Sequence, residues 1–199
     1  MSRKMFETVS HHLQPDRFGG FVRKGNILIS SRKINKFTVL QKITHISLQQ
    51  DPLLRSKYIN FSQIDDDKKV RINSPSHILL NILEKEKLSN IKEIRKIKGT
   101  NKVEPLLEIL ESKKLRVALF YDHTELLYSI NSSARINFLQ ELRILANTNY
   151  KTCYVLLCGS SQVLPMLVEN YYDPIISEQF PLKRMDLNGN KFSTIRIND

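Results

Sequence analysis

An acidic side chain directly follows an apolar stretch of the chain. Residues 116–121 read RVALFY, and Asp122 comes next. A continuous apolar run of this length is typical of a strand buried on both faces of a parallel sheet. Because ligands of open α/β sheets bind at the carboxyl ends of the strands, we expect Asp122 to be a functional carboxylate at that edge. The alternative is that Asp122 only caps or turns the chain.

A lysine follows an earlier predicted strand in a similar way. The strand NILIS runs into the octet SSRKINKF at 30–37, which has the length and position of a phosphate-binding loop, G-x-x-x-x-G-K-[ST]. Lys36 stands at the place of the motif's lysine. Ser30 and Asn35 replace the two glycines, and Phe37 replaces the hydroxyl residue. The alternative is that Lys36 is an ordinary solvated lysine at the start of a helix.

The hydrophobic periodicity predicts the elements that must position these residues. Strands are predicted at 26–30, 57–62, 116–122, 153–158 and 191–197, and helices at 37–49, 75–83, 105–110 and 132–145. Strands separated by helices predict an α/β fold, a three-layer sandwich around a mainly parallel sheet. We expect a single domain over 1–199, with an N-terminal extension at 1–19 and a basic helical insertion at 84–104.

Cysteine usage and hydropathy indicate the compartment. Cys153 and Cys158 lie in one predicted strand at an odd separation, so they point to opposite faces and are predicted to be core thiols. No stretch approaches the roughly 18 apolar residues that span a bilayer, and no apolar signal core follows Met1. We expect a soluble, intracellular protein, cytoplasmic or nuclear.

The chain is strongly basic, with a formal net charge of +11 and a pI near 9.7. Such a surplus favours nucleic acid or another polyanion as a partner. The candidate contact residues in the basic segment are Lys92, Arg95, Lys96 and Lys98. The alternative is that this segment is only a solvated helix face, and its lack of aromatic residues argues against a platform for stacking bases.

The order of five segments resembles the P-loop ATPase domain of the archaeal-type ATPases, in the AAA+ and STAND group. The segments lie between about residues 20 and 187 and read NILISSRKINKFTVLQKI, KYINFSQID, RVALFYDHTELL, YVLLCGSS and FPLKR. The resemblance implies a P-loop NTPase-like fold with ATP and Mg²⁺ as cofactors. Family members continue into a helical lid and often a winged-helix domain, and we expect neither in this chain.

The resemblance also implies a role for each matching residue. Lys36 would pair with nucleotide phosphates in a loop formed by Ser30, Ser31, Asn35, Phe37 and Thr38. Asp122 would hold Mg²⁺ through water, and Ser160 or Ser161 would be the polar sensor beside the γ-phosphate. Arg184 would be the arginine supplied to a neighbouring subunit. His123 stands where the family has the glutamate that polarises the attacking water.

The departures from the family pattern point to a degenerate site. Side chains with a β-carbon at Ser30 and Asn35 make it costly for the loop to wrap phosphates with its backbone N–H groups. Phe37 lacks the hydroxyl that would bind Mg²⁺, and Thr38 lies one residue too far along. With His123 also replacing the glutamate, we expect weak or absent ATP hydrolysis.

Three hypotheses follow. The first is a catalytically degenerate P-loop NTPase-fold protein that serves as a binding or assembly module for nucleic acid or a larger complex, including a homo-oligomer. The second is a working ATP-dependent switch that uses Lys36, Asp122 and Ser160. The third is a basic nucleic-acid-binding α/β domain in which nucleotide has no part.

Overall fold

The structure is a computed structural model, and it describes residues 7, 10–21, 25–30, 51–64, 66–86, 94, 96, 99–130, 132–159 and 193–197. Its centre is a sheet of five strands in the order β2-β3-β4-β1-β5, in which every pairing is parallel. This confirms the α/β prediction with a parallel sheet. The strands are β1 (Gly25–Ser30), β2 (Leu54–Asn60), β3 (Arg116–Asp122), β4 (Cys153–Gly159) and β5 (Ser193–Ile197).

The strand order reverses beside β1. The strand that follows β1 in sequence, β2, lies at the far edge of the sheet, whereas β4 and β5 lie on either side of β1. Because all strands run the same way, their carboxyl ends meet at one edge of the sheet. A reversal of this kind is where ligands bind in open α/β sheets.

Four α-helices are described, and three of them were predicted. Short 3₁₀ turns precede or follow several elements, at Phe61–Gln63, Gly99–Lys102 and Thr124–Ser129. The helix Asp67–Ile72 was missed, although Asp66 caps it by accepting a 2.6 Å hydrogen bond from the Lys69 N–H. The helices are α1 (Asp67–Ile72), α2 (Pro75–Lys85), α3 (Val103–Ser112) and α4 (Ser132–Asn147).

The strands β3 and β4 are buried on both faces. One face packs against α1, α2, α3 and α4 through residues such as Leu119, Val155 and Phe138. The opposite face packs against the segment 10–21, through Leu13 and Phe21. Cys153 belongs to the first face and Cys158 to the second, and both are buried free thiols, as predicted. Burial raises the pKa of the Cys153 thiol, which makes it less reactive.

The bounds of β2 differ from the sequence-based prediction. The second strand was predicted at 57–62, but β2 ends at Asn60 because its side-chain oxygen accepts a 2.9 Å hydrogen bond from the Ser62 N–H and starts a 3₁₀ turn. The predicted basic helical segment at 84–104 is described only in part, at 84–86, 94, 96 and 99–104. Within the described part, α2 ends at Lys85 and a 3₁₀ turn at Gly99–Lys102 leads into α3.

Candidate functional site

Asp122 lies at the carboxyl edge of the sheet, as the sequence predicted. It is the last residue of β3, and it pairs in register with Asn60, the last residue of β2. Its side chain is only 3% exposed. A carboxylate is rarely buried to this extent without hydrogen-bond donors around it.

Donors on two different elements hydrogen-bond the Asp122 carboxylate. The Tyr58 hydroxyl donates a 2.9 Å hydrogen bond to Oδ2, and the backbone N–H of His123 donates a 2.9 Å hydrogen bond to Oδ1. Burial, followed by the neighbouring Asp122 charge, raises the pKa of the Tyr58 hydroxyl above its usual value. Tyr58 therefore remains protonated and able to donate.

His123 marks a sharp turn after the strand. Its backbone is left-handed, with φ at 54°, and its imidazole is 45% exposed. Imidazole Nδ1 lies 3.8 Å from Oε1 of Glu125, so the neighbouring carboxylate faces the ring. His123 thus presents a partly exposed imidazole directly after Asp122.

Thr124 joins the segment after β3 to the adjacent strand. Its side chain is fully buried, and its hydroxyl lies 2.7 Å from the carbonyl oxygen of Cys158, to which it donates. Gly159, the next residue, ends β4 and pairs in register with Ile29 of β1. The ends of β3, β4 and β1 therefore lie along one edge, and Ser30 is the last residue of β1.

Most of the other predicted site residues lie outside the described part of the chain. Lys96 is described and is exposed to solvent. Asp122 and His123 lie at the carboxyl edge. The strand β4, which precedes Ser160 and Ser161, lies next to β3, and β1, which precedes the Lys36 loop, lies next to β4. The predicted residues outside the described ranges are Ser31, Asn35, Lys36, Phe37, Thr38, Lys92, Arg95, Lys98, Ser160, Ser161 and Arg184.

Two contributing residues, Tyr58 and Thr124, were not identified from the sequence. Tyr58 pairs in register with Phe120, so alternation along the strands puts it on the same face as Asp122. That relationship requires the register between β2 and β3, which the sequence does not give. Thr124 carried a signal, because a hydroxyl two residues after the candidate carboxylate is well placed to bond a neighbouring strand end.

A cavity of about 820 Å³ lies at the opposite, amino edge of the sheet. Two ion pairs occupy its wall, one between Arg116 and Asp51 and the other between Lys151 and Asp16, where Nζ lies 3.3 Å from Oδ2. The two backbone N–H groups that bond Asp16, with Lys151, outweigh burial and lower the pKa of its carboxyl. Four charged groups of the cavity are thus paired with each other, and we place the candidate functional site at the carboxyl edge instead, where the strand order reverses.

The donor at that edge suits Mg²⁺. Among the described residues, no three His, Cys, Asp or Glu side chains come together as a metal cluster. A single carboxylate is nonetheless how Mg²⁺ is commonly held beside nucleotide, because phosphates and water supply the remaining oxygen ligands. Asp122 is a hard oxygen donor that could hold such a cation at the carboxyl edge.

Known structures share this fold. The chain is similar to the ORC2 protein of Aeropyrum pernix in its ADPNP–ADP complexes (TM-score 0.53, 12% identity, 98% of this chain and 47% of that one) and in its ADP form (0.55, 15%, 98% and 47%). It is also similar to a Walker-type ATPase of Pyrococcus abyssi (0.55, 12%, 100% and 54%). No protein-family model and no curated protein matches the chain.

These similarities define the class of fold. The chain has the α/β fold of the P-loop ATPases, with a parallel sheet and a buried acid at the end of β3. It spans about half the length of each of these structures. No described helix is both long and apolar enough to cross a membrane.

Proposed function

We propose that this protein binds a nucleotide at the carboxyl edge of its sheet, hydrolyses it weakly or not at all, and serves as a binding or assembly module. The observation that carries the proposal is the buried Asp122 carboxylate, held by two hydrogen bonds beside the reversal of strand order. The likeness of the fold to structures that contain ADP or ADPNP supports it.

The roles of individual residues follow from the resemblance. Asp122 would hold Mg²⁺ through water, and Lys36 would pair with the phosphates. Ser160 or Ser161 would contact the terminal phosphate, and Arg184 would reach a neighbouring subunit. When bound, the metal would neutralise phosphate charge, while the chain's own residues bind and orient the nucleotide.

His123 supports the expectation of weak hydrolysis. Phosphoryl transfer to water needs a group that positions and polarises that water. The imidazole of His123 is 45% exposed, on a left-handed residue, and faces Glu125. An exposed ring of this kind is poorly fixed for positioning the attacking water. The loop around Lys36 also lacks the two glycines and the hydroxyl residue of the phosphate-binding motif.

A working ATP-dependent switch is the second candidate. The hydrogen bonds from Tyr58 and the His123 N–H, which orient the Asp122 carboxylate, favour it. Both candidates are tested by measuring ATP affinity with and without Mg²⁺, together with steady-state phosphate release, for the wild type and for Lys36→Ala and Asp122→Asn. The proposal expects binding that both variants weaken, with phosphate release close to background. Sustained phosphate release abolished by both variants would establish the switch, and no ATP binding would overturn both candidates.

We also propose a polyanionic partner, such as nucleic acid, on the basis of the +11 net charge. Binding to an RNA or DNA duplex should weaken steeply with salt. It should also weaken when the basic segment is neutralised, at Lys92, Arg95, Lys96 and Lys98. A matched control removes four exposed charges elsewhere, at Lys57, Lys68, Arg71 and Lys113. An equal loss of nucleic-acid affinity in the two variants, or binding that does not change with salt, would contradict a binding surface in the basic segment.

A further inference from the structure

Tyr58 contacts the candidate metal-binding carboxylate from a neighbouring strand. It lies on β2 opposite Phe120 of β3, and the sheet alternation places residues 58, 120 and 122 on one face. The tyrosine ring therefore runs along the sheet toward the residue two positions beyond its direct partner, a diagonal that long aromatic side chains span. Its hydroxyl ends 2.9 Å from Oδ2 of Asp122.

The second oxygen of Asp122 is held by a different group. Oδ1 accepts the backbone N–H of His123, whose left-handed φ of 54° turns the chain immediately after the strand. These two donors use one acceptor site on each oxygen of a group that has about four. The two hydrogen bonds, one from β2 and one from the turn after β3, therefore fix the orientation of the carboxylate.

We propose that Tyr58 is a positioning residue that orients the Asp122 carboxylate toward Mg²⁺ at the carboxyl edge, an inference that rests on the nucleotide-binding function proposed above. Hydrogen-bond partners that orient metal-binding carboxylates typically change metal affinity 10- to 100-fold when they are removed. Only the length of a tyrosine side chain supplies a hydroxyl at this point from β2. Phenylalanine keeps the ring and removes only the donor.

The test compares Tyr58→Phe with a matched variant, Tyr121→Phe. Tyr121 also donates through its hydroxyl, over 3.1 Å to the carbonyl oxygen of Asn73, but it lies on the opposite face of the sheet and does not bond Asp122. Isothermal calorimetry on the full chain gives the ATP dissociation constant with Mg²⁺ and with a chelator. The measured quantity is the factor by which Mg²⁺ strengthens ATP binding.

We expect Tyr58→Phe to reduce this factor about tenfold and to leave the Mg²⁺-free affinity unchanged, whereas Tyr121→Phe keeps the wild-type factor. An unchanged factor in Tyr58→Phe overturns the positioning role while the proposed function stands. A loss that is equal with and without Mg²⁺ also overturns it, because Tyr58 would then act on the fold or on the nucleotide. If the wild type binds no ATP, the proposed function fails and the positioning role fails with it.

Discussion

The Thr124 hydroxyl donates a 2.7 Å hydrogen bond to the carbonyl oxygen of Cys158, and so joins the turn after β3 to β4. Thr124 is fully buried, and it lies two residues after Asp122. The strand end that carries the candidate metal-binding residue is therefore fixed to its neighbour by a side chain as well as by the sheet.

Replacing this threonine should destabilise the protein. Thr124→Val keeps the shape but leaves the Cys158 carbonyl without this donor in a buried environment, which costs roughly 1–3 kcal/mol. The matched variant is Thr152→Val, because the buried Thr152 hydroxyl has no hydrogen-bond partner within the described ranges. Removing the Thr152 hydroxyl should leave the free energy of unfolding unchanged or increase it. Urea unfolding of both variants checks the contrast, and similar destabilisation in both would contradict it.

Glu141 should make stability depend on pH. Its buried carboxylate accepts the Ser76 N–H (2.8 Å) and hydroxyl (2.7 Å) at the start of α2. Burial raises the pKa of Glu141 above its ordinary 4.5, although the Ser76 and Ser74 hydrogen bonds and the Lys102 charge oppose the shift. A raised folded-state pKa means that the stabilising contribution is complete below the unfolded pKa and is lost as pH rises through the folded pKa.

The free energy of unfolding of the wild type, minus that of Glu141→Gln, should therefore fall as pH rises from about 4 to about 8. Other titrating groups largely cancel in this difference. Ser76→Ala removes one of the hydrogen bonds that lower the pKa of Glu141, so the Glu141 carboxyl should become harder to ionise. The free energy of unfolding of this variant should therefore fall more steeply as pH rises. Denaturant titrations across the pH range measure both effects. A difference that grows with pH would show instead that folding favours the ionised carboxylate.

Two ion pairs should differ in their contributions to stability. Arg116 is buried, pairs with Asp51 (20% exposed) and also donates to the Leu13 carbonyl at 2.9 Å. Asp51→Asn removes the paired carboxylate from a buried guanidinium, on which only the Asp16 charge is then known to act, and should cost up to about 3 kcal/mol. The Arg55–Glu86 pair, at 2.8 Å, has side chains 36% and 31% exposed, so Glu86→Gln should cost less than about 1 kcal/mol. Thermal or urea unfolding compares them, and equal costs would contradict the difference in burial.

Much of the fold could be predicted because the strands buried on both faces are continuous apolar runs. RVALFYD and CYVLLCG are buried at every residue, and their sequences leave few alternatives. The helix α1 was missed because six residues with two lysines and an arginine give little periodicity. The start of α2 was placed correctly at Ser74 and Pro75, but the Ser74 side chain makes no cap hydrogen bond. A distant glutamate, Glu141, supplies the cap instead, which local sequence cannot indicate.

The candidate site was predictable only in part. Asp122 follows from the end of an apolar run, a signal contained in consecutive residues. Tyr58 depends on the register between β2 and β3, two strands that are separated in sequence by the helices α1, α2 and α3. That register is set by packing across the sheet. The candidate binding residue Asp122 is thus easier to identify than Tyr58, the residue proposed to orient it.

A crystal structure of the protein grown with ADP and Mg²⁺ tests the central claim most directly. The account predicts that the diphosphate lies at the carboxyl edge of the sheet, between the ends of β1 and β3, with Mg²⁺ beside the Asp122 carboxylate. A nucleotide bound in the cavity at the amino edge, near Arg116 and Lys151, would contradict it. So would nucleotide absent from crystals at a concentration that saturates the protein in solution.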